Sequence, residues 1–348
     1  MKILFVGETW LGSGARSMKE ALARNPAIDL DELAEDGFLP KVRSRGLRAL
    51  NRITRPLYRQ DFNNQVLDKV RHNSPDFLVT YKGNFVYADL LRRVSAMGVK
   101  TVNIYPDCSP HAHGKPHREA VGIYDLVIST KEYHPKLWHE LYSYQNRCVF
   151  VPQGYDPLLH LVSRPQSDFQ FDVVMVATYR PEYGRLILDF LNAIGRVNIK
   201  VAIGGHGWKV LKSQLPSSWQ FLGGITGRSY VDALRAGKIC VAPLTRQMAV
   251  DDKQQAGDVD TTRTYELAAA HCFFVHQRTD FVRDLYESIG VPMFEGGDEL
   301  AEQVMRYIDA PCDRSRIARA AHQHAVPRYS TDSRAAEIYE LLKAELVA

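Results

Sequence analysis

The sequence predicts an α/β protein made of two consecutive halves, each a parallel sheet covered by helices. Three observations carry this. The chain has 348 residues, more than one ordinary core accommodates. Short apolar runs alternate with amphipathic stretches, the signature of strand–helix–strand units rather than of hairpins. The pattern then restarts: FDVVMVAT at 171–178 reads as a fresh first strand after the polar stretch LVSRPQSDFQ at 161–170.

The elements follow in order. In the first half the expected strands are 2–7 (KILFVG), 76–82 (DFLVTYK), 100–106 (KTVNIYP), 125–130 (DLVIST) and 147–153 (RCVFVPQ). Each is short and rich in Val, Ile, Leu and Phe, as strands buried on both faces are. Helices are expected at 14–24, 63–72, 85–97 and 134–143. The second half repeats the scheme with strands at 171–178, 199–205, 219–224, 238–244 and 272–277, and helices at 182–194, 228–236 and 264–270. Two further helices, 313–325 and 331–347, are separated by Pro327, with Ser330, Thr331 and Asp332 as capping side chains. Two Rossmann-like domains result, 1–160 and 161–330. The helix in 331–348 is expected to pack back on the first.

Composition narrows the class. Hydrophobic residues make up 45% and charged residues 24%, as in soluble globular proteins. The net charge of +4 demands no nucleic-acid partner. It is concentrated: residues 41–59 hold seven Lys/Arg and no acid, so the remainder carries 37 basic against 40 acidic residues. Five dispersed cysteines without a CxxC point to reduced thiols, not to disulfides or structural zinc. The expectation is a cytoplasmic protein, with a peripheral position on the inner face of the membrane left open by the basic segment.

In open parallel sheets, ligands bind beyond the carboxyl ends of strands. Four loops stand there: 7–14, with Gly12, Ser13 and Gly14; 107–113, with Asp107, His111 and His113; 178–180, ending in Arg180; and DVDTTRTYELAA at 258–269. The last places Thr262, Arg263 and Thr264 at the start of a short helix. Unpaired backbone N–H groups and the helix dipole favour an anion there. Capping accounts for the threonines and acids equally well. It does not account for Arg263, which the dipole disfavours unless an anion is present. Glu266, one turn in, is suited to accept two hydrogen bonds from a ribose diol.

The run TTRTYELAAAHCFFVHQRTDFVRDLYESIGVPMFEGGDELAEQVMRYI resembles the C-terminal domain of CgeB-like glycosyltransferases. These are GT-B enzymes related to family 4 glycosyltransferases. MKILFVGE, FDVVMVATYRPEYGRLIL and GGITGRSYVDALRAGKICVAPL extend the resemblance over essentially the whole chain. The resemblance implies the GT-B fold: two Rossmann-like domains whose parallel sheets face a central cleft. It implies a nucleotide-diphosphate sugar as donor, no required cofactor and no metal. Glu266 matches the glutamate that holds the nucleotide ribose. Asp258, eight positions earlier, matches an acid that contacts the donor sugar, with Asp260 competing for that role. Thr262, Arg263 and Thr264 flank the diphosphate, and Arg180 is aimed at it. Gly224, Ile225 and Thr226 match a loop whose backbone reads the base. In the GGHGW loop at 204–208, Gly205 permits close backbone approach, and Trp208 either stacks on a base or fills a strand-end turn.

In the first domain, Asp107, His111 and His113 are the candidate catalytic residues near the acceptor hydroxyl. An H-x-H metal site is the weaker alternative, since the loop offers no further ligands of clear spacing. Arg45, Arg48, Arg52, Arg55 and Arg59 recur at 3-4-3-4 spacing, which lines them up on one helical stripe opposite Leu47, Leu50, Ile53 and Leu57. Pro56 is expected to split or kink that helix. The stripe is either a solvated face or a binding face for anionic membrane lipid or an anionic acceptor. The expected activity is that of a glycosyltransferase of hexosyltransferase type, retaining by analogy of the D-x7-E spacing, acting on a glycan, lipid-linked or protein acceptor in cell-surface polysaccharide synthesis. The alternatives are a nucleotide-sugar epimerase of similar fold and a non-catalytic nucleotide-sugar-binding module.

Overall fold

The structure is a computed structural model describing residues 1–38, 45–162, 168–195, 197–250 and 253–347, without the side chains of 45–52, 247–250 and 253–256. It divides into two compact units. Unit 1 comprises Met1–Pro152, Met248–Ala256 and Arg334–Ala348; unit 2 comprises Gln153–Gln247 and Gly257–Ser333.

Unit 1 holds strands β1 (Lys2–Gly7), β2 (Asp29–Ala34), β3 (Phe77–Tyr81), β4 (Lys100–Tyr105), β5 (Leu126–Ser129) and β6 (Arg147–Phe150). All are parallel, in the order β2-β1-β3-β4-β5-β6. The chain leaves β1 toward β2 and returns on its other side at β3. The strand order therefore reverses between β1 and β3, where an open sheet makes a crevice. Helices α1 (Gly14–Ala23), α2 (Arg45–Asn73), α3 (Ala88–Ser95), α4 (Lys115–Val121) and α5 (His134–Tyr142) connect the strands. Ile3, Phe5, Phe77, Val79, Val102 and Ile128 are buried on one face with Ala335, Ile338 and Leu342 from the C-terminal part of the chain. Leu4, Val6, Leu78, Val127 and Phe62 are buried on the other.

Helix α2 is not split at Pro56 but runs through it unbroken. Phe62, Val66, Leu67 and Val70 in its second half are fully or almost fully buried, and this packing offsets the hydrogen bond that Pro56 cannot donate. Ile53 and Leu57 do not cover a core but are 76% and 70% exposed. The side chains of Arg45, Arg48 and Arg52 lie outside the described residues. Strand β2, unanticipated, is an edge strand with no fully buried residue.

Unit 2 carries β7 (Phe171–Val176), β8 (Val201–Gly204), β9 (Gln220–Gly223) and β10 (Gly237–Ala242). In chain order a separate two-stranded sheet of β11 (Gln247–Val250) and β12 (Lys253–Ala256) comes next, its residues 248–256 belonging to unit 1, then β13 (Phe274–Gln277) and β14 (Met293–Phe294) of unit 2. The main sheet runs β14-β13-β10-β7-β8-β9, again parallel, with its order reversing between β7 and β10. Around it lie α6 (Pro157–His160), α7 (Pro181–Ile194), α8 (Arg228–Arg235), α9 (Thr262–Ala269), α10 (Asp280–Tyr286), α11 (Gly297–Ile308) and α12 (Pro311–Ala325); α13 (Thr331–Val347) closes the chain. Two six-stranded parallel sheets with flanking helices are the two Rossmann-like domains expected. Among the described residues no helix is long and apolar enough to cross a membrane.

Candidate functional site

In unit 2 the site forms where β7 and β10 part. Helix α9 begins there, and it brings Arg263 across the gap. The guanidinium donates to Pro243 O just beyond β10 (3.1 Å) and reaches Val176 O at the end of β7 (3.5 Å). Its Nε is buried and has no partner. A cation is thus fixed at the carboxyl ends of the two strands between which an open sheet binds ligands, beside the positive end of a helix. Tyr183, whose hydroxyl lies 3.0 Å from Thr245 Oγ1, has its pKa raised by burial and falls within the fields of Arg263, Asp258 and Arg180. The fields of these three residues therefore meet at one buried phenol. Arg180 is exposed at the N-cap of α7. Asp258 is tied by its N–H to Thr245 O (2.6 Å).

Glu266 is only 9% exposed. One carboxylate oxygen accepts from the Tyr230 hydroxyl at 2.6 Å. The other lies 3.6 Å from His160 Nε2, beyond hydrogen-bonding distance. His160 Nδ1 accepts from Asp156 N (3.1 Å), so in the neutral ring the proton sits on Nε2, toward the carboxylate. Burial and the adjacent Glu266 charge hold Tyr230 well above its usual pKa. Tyr230 and His160 were not foreseen: they lie on α8 and α6, and no sequence spacing links them to Glu266.

Three expectations change. Thr264 is fully buried, and its hydroxyl faces inward. It accepts from Thr261 N (3.0 Å) and meets His276 Nε2 (2.9 Å). It caps and packs α9, while Thr262 stays partly exposed. Asp260 is also fully buried and accepts from Tyr265 OH (2.7 Å), so it does not compete with Asp258 for a ligand. Trp208 is 2% exposed and its indole N–H donates to Ala177 O (2.7 Å). It fills the strand-end turn and offers no face to a base. Gly205 (φ +117°) lies against Ala177, and a β-carbon there would collide with the Ala177 carbonyl, so the backbone itself needs glycine. Gly224 lies against the exposed His206 ring. Ile225 is half-buried and Thr226 exposed, at the end of β9.

In unit 1 the loop after β4 brings Asp107 and His113 together. His113 Nε2 lies 2.9 Å and Lys82 Nζ 2.6 Å from the same Asp107 oxygen. Burial alone would raise the Asp107 pKa. His113 and Lys82 outweigh it and hold the carboxyl well below the usual range. His111 stands edge-on to Tyr142, with ring centroids 5.2 Å apart. Lys82 was missed. It sits directly after β3 in a left-handed conformation (φ +66°), which costs a non-glycine residue about 1–2 kcal/mol. Its carbonyl, bonded by His117 Nε2 (2.8 Å) and Asn103 Nδ2 (3.1 Å), holds that shape. In the glycine loop, Ser13 is buried and caps α1, accepting from Arg16 N (3.2 Å). Gly12 turns the chain (φ +96°), and Gly14 packs on the Tyr81 hydroxyl. Among the described residues no group of three or more His, Cys, Asp or Glu is placed to hold a metal ion.

Residues 180–340 match the family described as glycosyl transferase-like. No curated protein matches the chain. Among solved structures, the sucrose-phosphate synthase of Thermosynechococcus elongatus is 13% identical, with a TM-score of 0.65 over 100% of this chain and 99% of that one. Anabaena HepE in complex with UDP-glucose is 16% identical, with a TM-score of 0.65 over 99% and 100%. A putative UDP-N-acetylglucosamine 2-epimerase from Listeria monocytogenes is 10% identical, with a TM-score of 0.59 over 99% and 96%. The fold is that of the GT-B class, and the family match supports a glycosyltransferase.

Proposed function

We propose that the protein moves a sugar from a nucleotide-diphosphate sugar to an acceptor hydroxyl, with unit 2 holding the donor and unit 1 the acceptor. The observation that carries this reading is Arg263, fixed at the β7/β10 switch point with an unpartnered buried N–H, inside the segment that matches the glycosyl transferase-like family. Arg180, Arg263 and the N-terminus of α9 bind the diphosphate and offset its charge as it leaves. No metal or other cofactor is required for that. Glu266 exchanges Tyr230 for the ribose hydroxyls, Asp258 meets the donor sugar, and residues 224–226 face the base. Asp107, kept ionised and paired with His113, stands at the acceptor side.

A uridine nucleotide is the favoured donor, because the Anabaena neighbour is complexed with UDP-glucose. The D-x7-E spacing favours retention, and the CgeB-like resemblance favours a hexosyl transfer to a glycan or lipid-linked acceptor at the cytoplasmic face. The epimerase is the second reading, favoured by the Listeria neighbour. Incubation with UDP-sugars separates the two. Recovery of an isomerised nucleotide sugar without acceptor selects the epimerase. Acceptor-dependent release of UDP, abolished in Glu266→Ala, selects the transferase. A thermal-shift screen showing no stabilisation by any nucleoside diphosphate would sink both, since a ligand at 100 times its Kd adds about 2.7 kcal/mol.

A further inference from the structure

Helix α2 brings two arginines of its basic stripe to one aromatic ring. The Arg55 guanidinium carbon lies 5.7 Å and that of Arg59 5.2 Å from the centroid of Phe85, in the segment after β3. Asn63, four residues beyond Arg59, fixes the arrangement. Its amide donates to Arg59 O (2.6 Å) and Phe85 O (2.8 Å), and its carbonyl accepts from Tyr87 N (2.9 Å).

Two like charges held over one ring repel each other, and no carboxylate among the described residues forms an ion pair with either. Burial and the Arg55 charge both lower the Arg59 pKa, and Tyr87 opposes them. Arg59 Nε is buried without a partner. Glu35, whose field reaches Arg59, is 3% exposed, and its Oε1 also lacks a partner. Burial raises its pKa to about 8, with Glu8 adding to the shift and the Phe85 N–H, Lys82 and Arg59 opposing it. A carboxyl held this way keeps its proton, and with it an O–H to donate, to higher pH than a free one does. The chain has gathered two cations and two unsatisfied buried polar atoms at the carboxyl ends of β2 and β3. The group that completes such a set is an oxyanion.

We propose that Arg55, Arg59 and Glu35 form an anion subsite in unit 1 that receives a phosphate or carboxylate carried by the acceptor. This rests on the transferase reading for the word acceptor, but the anion site itself does not.

The test uses the full chain at low ionic strength and titrates inorganic phosphate by calorimetry into the native protein, Arg55→Ala, Arg59→Lys and Arg263→Ala. Arg55 is exposed, so its truncation leaves the fold intact even if changes at Arg59 do not. The expected result is phosphate binding that weakens about tenfold or more in Arg55→Ala, the loss of one charge-assisted hydrogen bond, and persists in Arg263→Ala. Equal binding by the native protein and Arg55→Ala, or loss only in Arg263→Ala, overturns the proposal. The source of the anion is read in two arms. Glucose 6-phosphate competing with phosphate in an Arg55-dependent way identifies a soluble phosphorylated sugar. Arg55-dependent sedimentation with phosphatidylcholine vesicles containing phosphatidic acid identifies a lipid headgroup. Phosphate binding that survives while no nucleotide sugar is turned over would retire the transferase reading and leave the subsite standing.

Discussion

Replacing Arg263 with alanine separates a structural arginine from a ligand-binding one. In the protein alone the side chain gains one good hydrogen bond, to Pro243 O at 3.1 Å, and a marginal one, to Val176 O at 3.5 Å. A charged hydrogen bond contributes about 1.5–3 kcal/mol. Against it stands Nε, buried without a partner, at a cost of about 1–3 kcal/mol. The two offset, so unfolding free energy should change by no more than about 1 kcal/mol, or roughly 2–4 °C in melting temperature for a domain of this size. A bound diphosphate sees the opposite balance. Removing one partner of a desolvated charge pair costs about 2–5 kcal/mol, or roughly 30-fold to several thousand-fold in Kd. Calorimetric titration with UDP, alongside a thermal melt of each protein, measures both quantities. A variant that melts far lower yet binds UDP as tightly as the native protein would show that Arg263 only ties β7 to β10.

Four further outcomes follow. Asp107→Asn should lower turnover by about a hundredfold or more, the contribution of a positioned acid–base group, with UDP affinity unchanged; a parallel fall in UDP affinity would remove Asp107 from the acceptor side. Lys82→Met should shift the acid limb of the pH–rate profile upward, because Asp107 loses a neighbour that keeps it ionised, and an unmoved limb would leave Lys82 without influence on Asp107. Glu35→Gln should stabilise the protein increasingly as pH rises from about 4.5 to 8, because the folded carboxyl holds its proton to about 8 while the unfolded one releases it near 4.5; denaturant melts at pH 5 and pH 8 measure this, and equal differences at both would refute it. His117, His134 and His276 have pKa values lowered by burial to about 4, 3 and 4. Their contribution is complete above the unfolded value of 6.5 and is lost as pH falls toward those folded values, at up to about 1.4 kcal/mol per pH unit per histidine. Denaturant melts of His276→Asn from pH 7 to 4 should be correspondingly less acid-sensitive, and an unaltered slope would refute the assignment.

Strands such as ILFV and DVVMV are legible because a parallel strand buried on both faces must be continuously apolar over a few residues. DLDELA, which forms β2, is not, because an edge strand with no fully buried residue lacks that run. The threonines and arginine before a small-residue helix announced an N-terminus suited to an anion, since helix ends leave their N–H groups unpaired wherever they occur. Which threonine stays accessible and which faces the core was beyond local reading. Thr264 turned inward because His276, twelve residues away on β13, offers it a buried acceptor.

Chain order and local periodicity thus determined the two α/β halves, the strand-end loops and the polar start of α9, because those depend on contacts within a few residues. Only the tertiary structure set Arg263 across the β7/β10 gap, Tyr230 against Glu266, Lys82 against Asp107 and Arg59 over Phe85. Each of those pairs is joined through the sheet by residues distant in the chain, and a charge or hydroxyl carries no sequence mark of the partner that packing will bring to it.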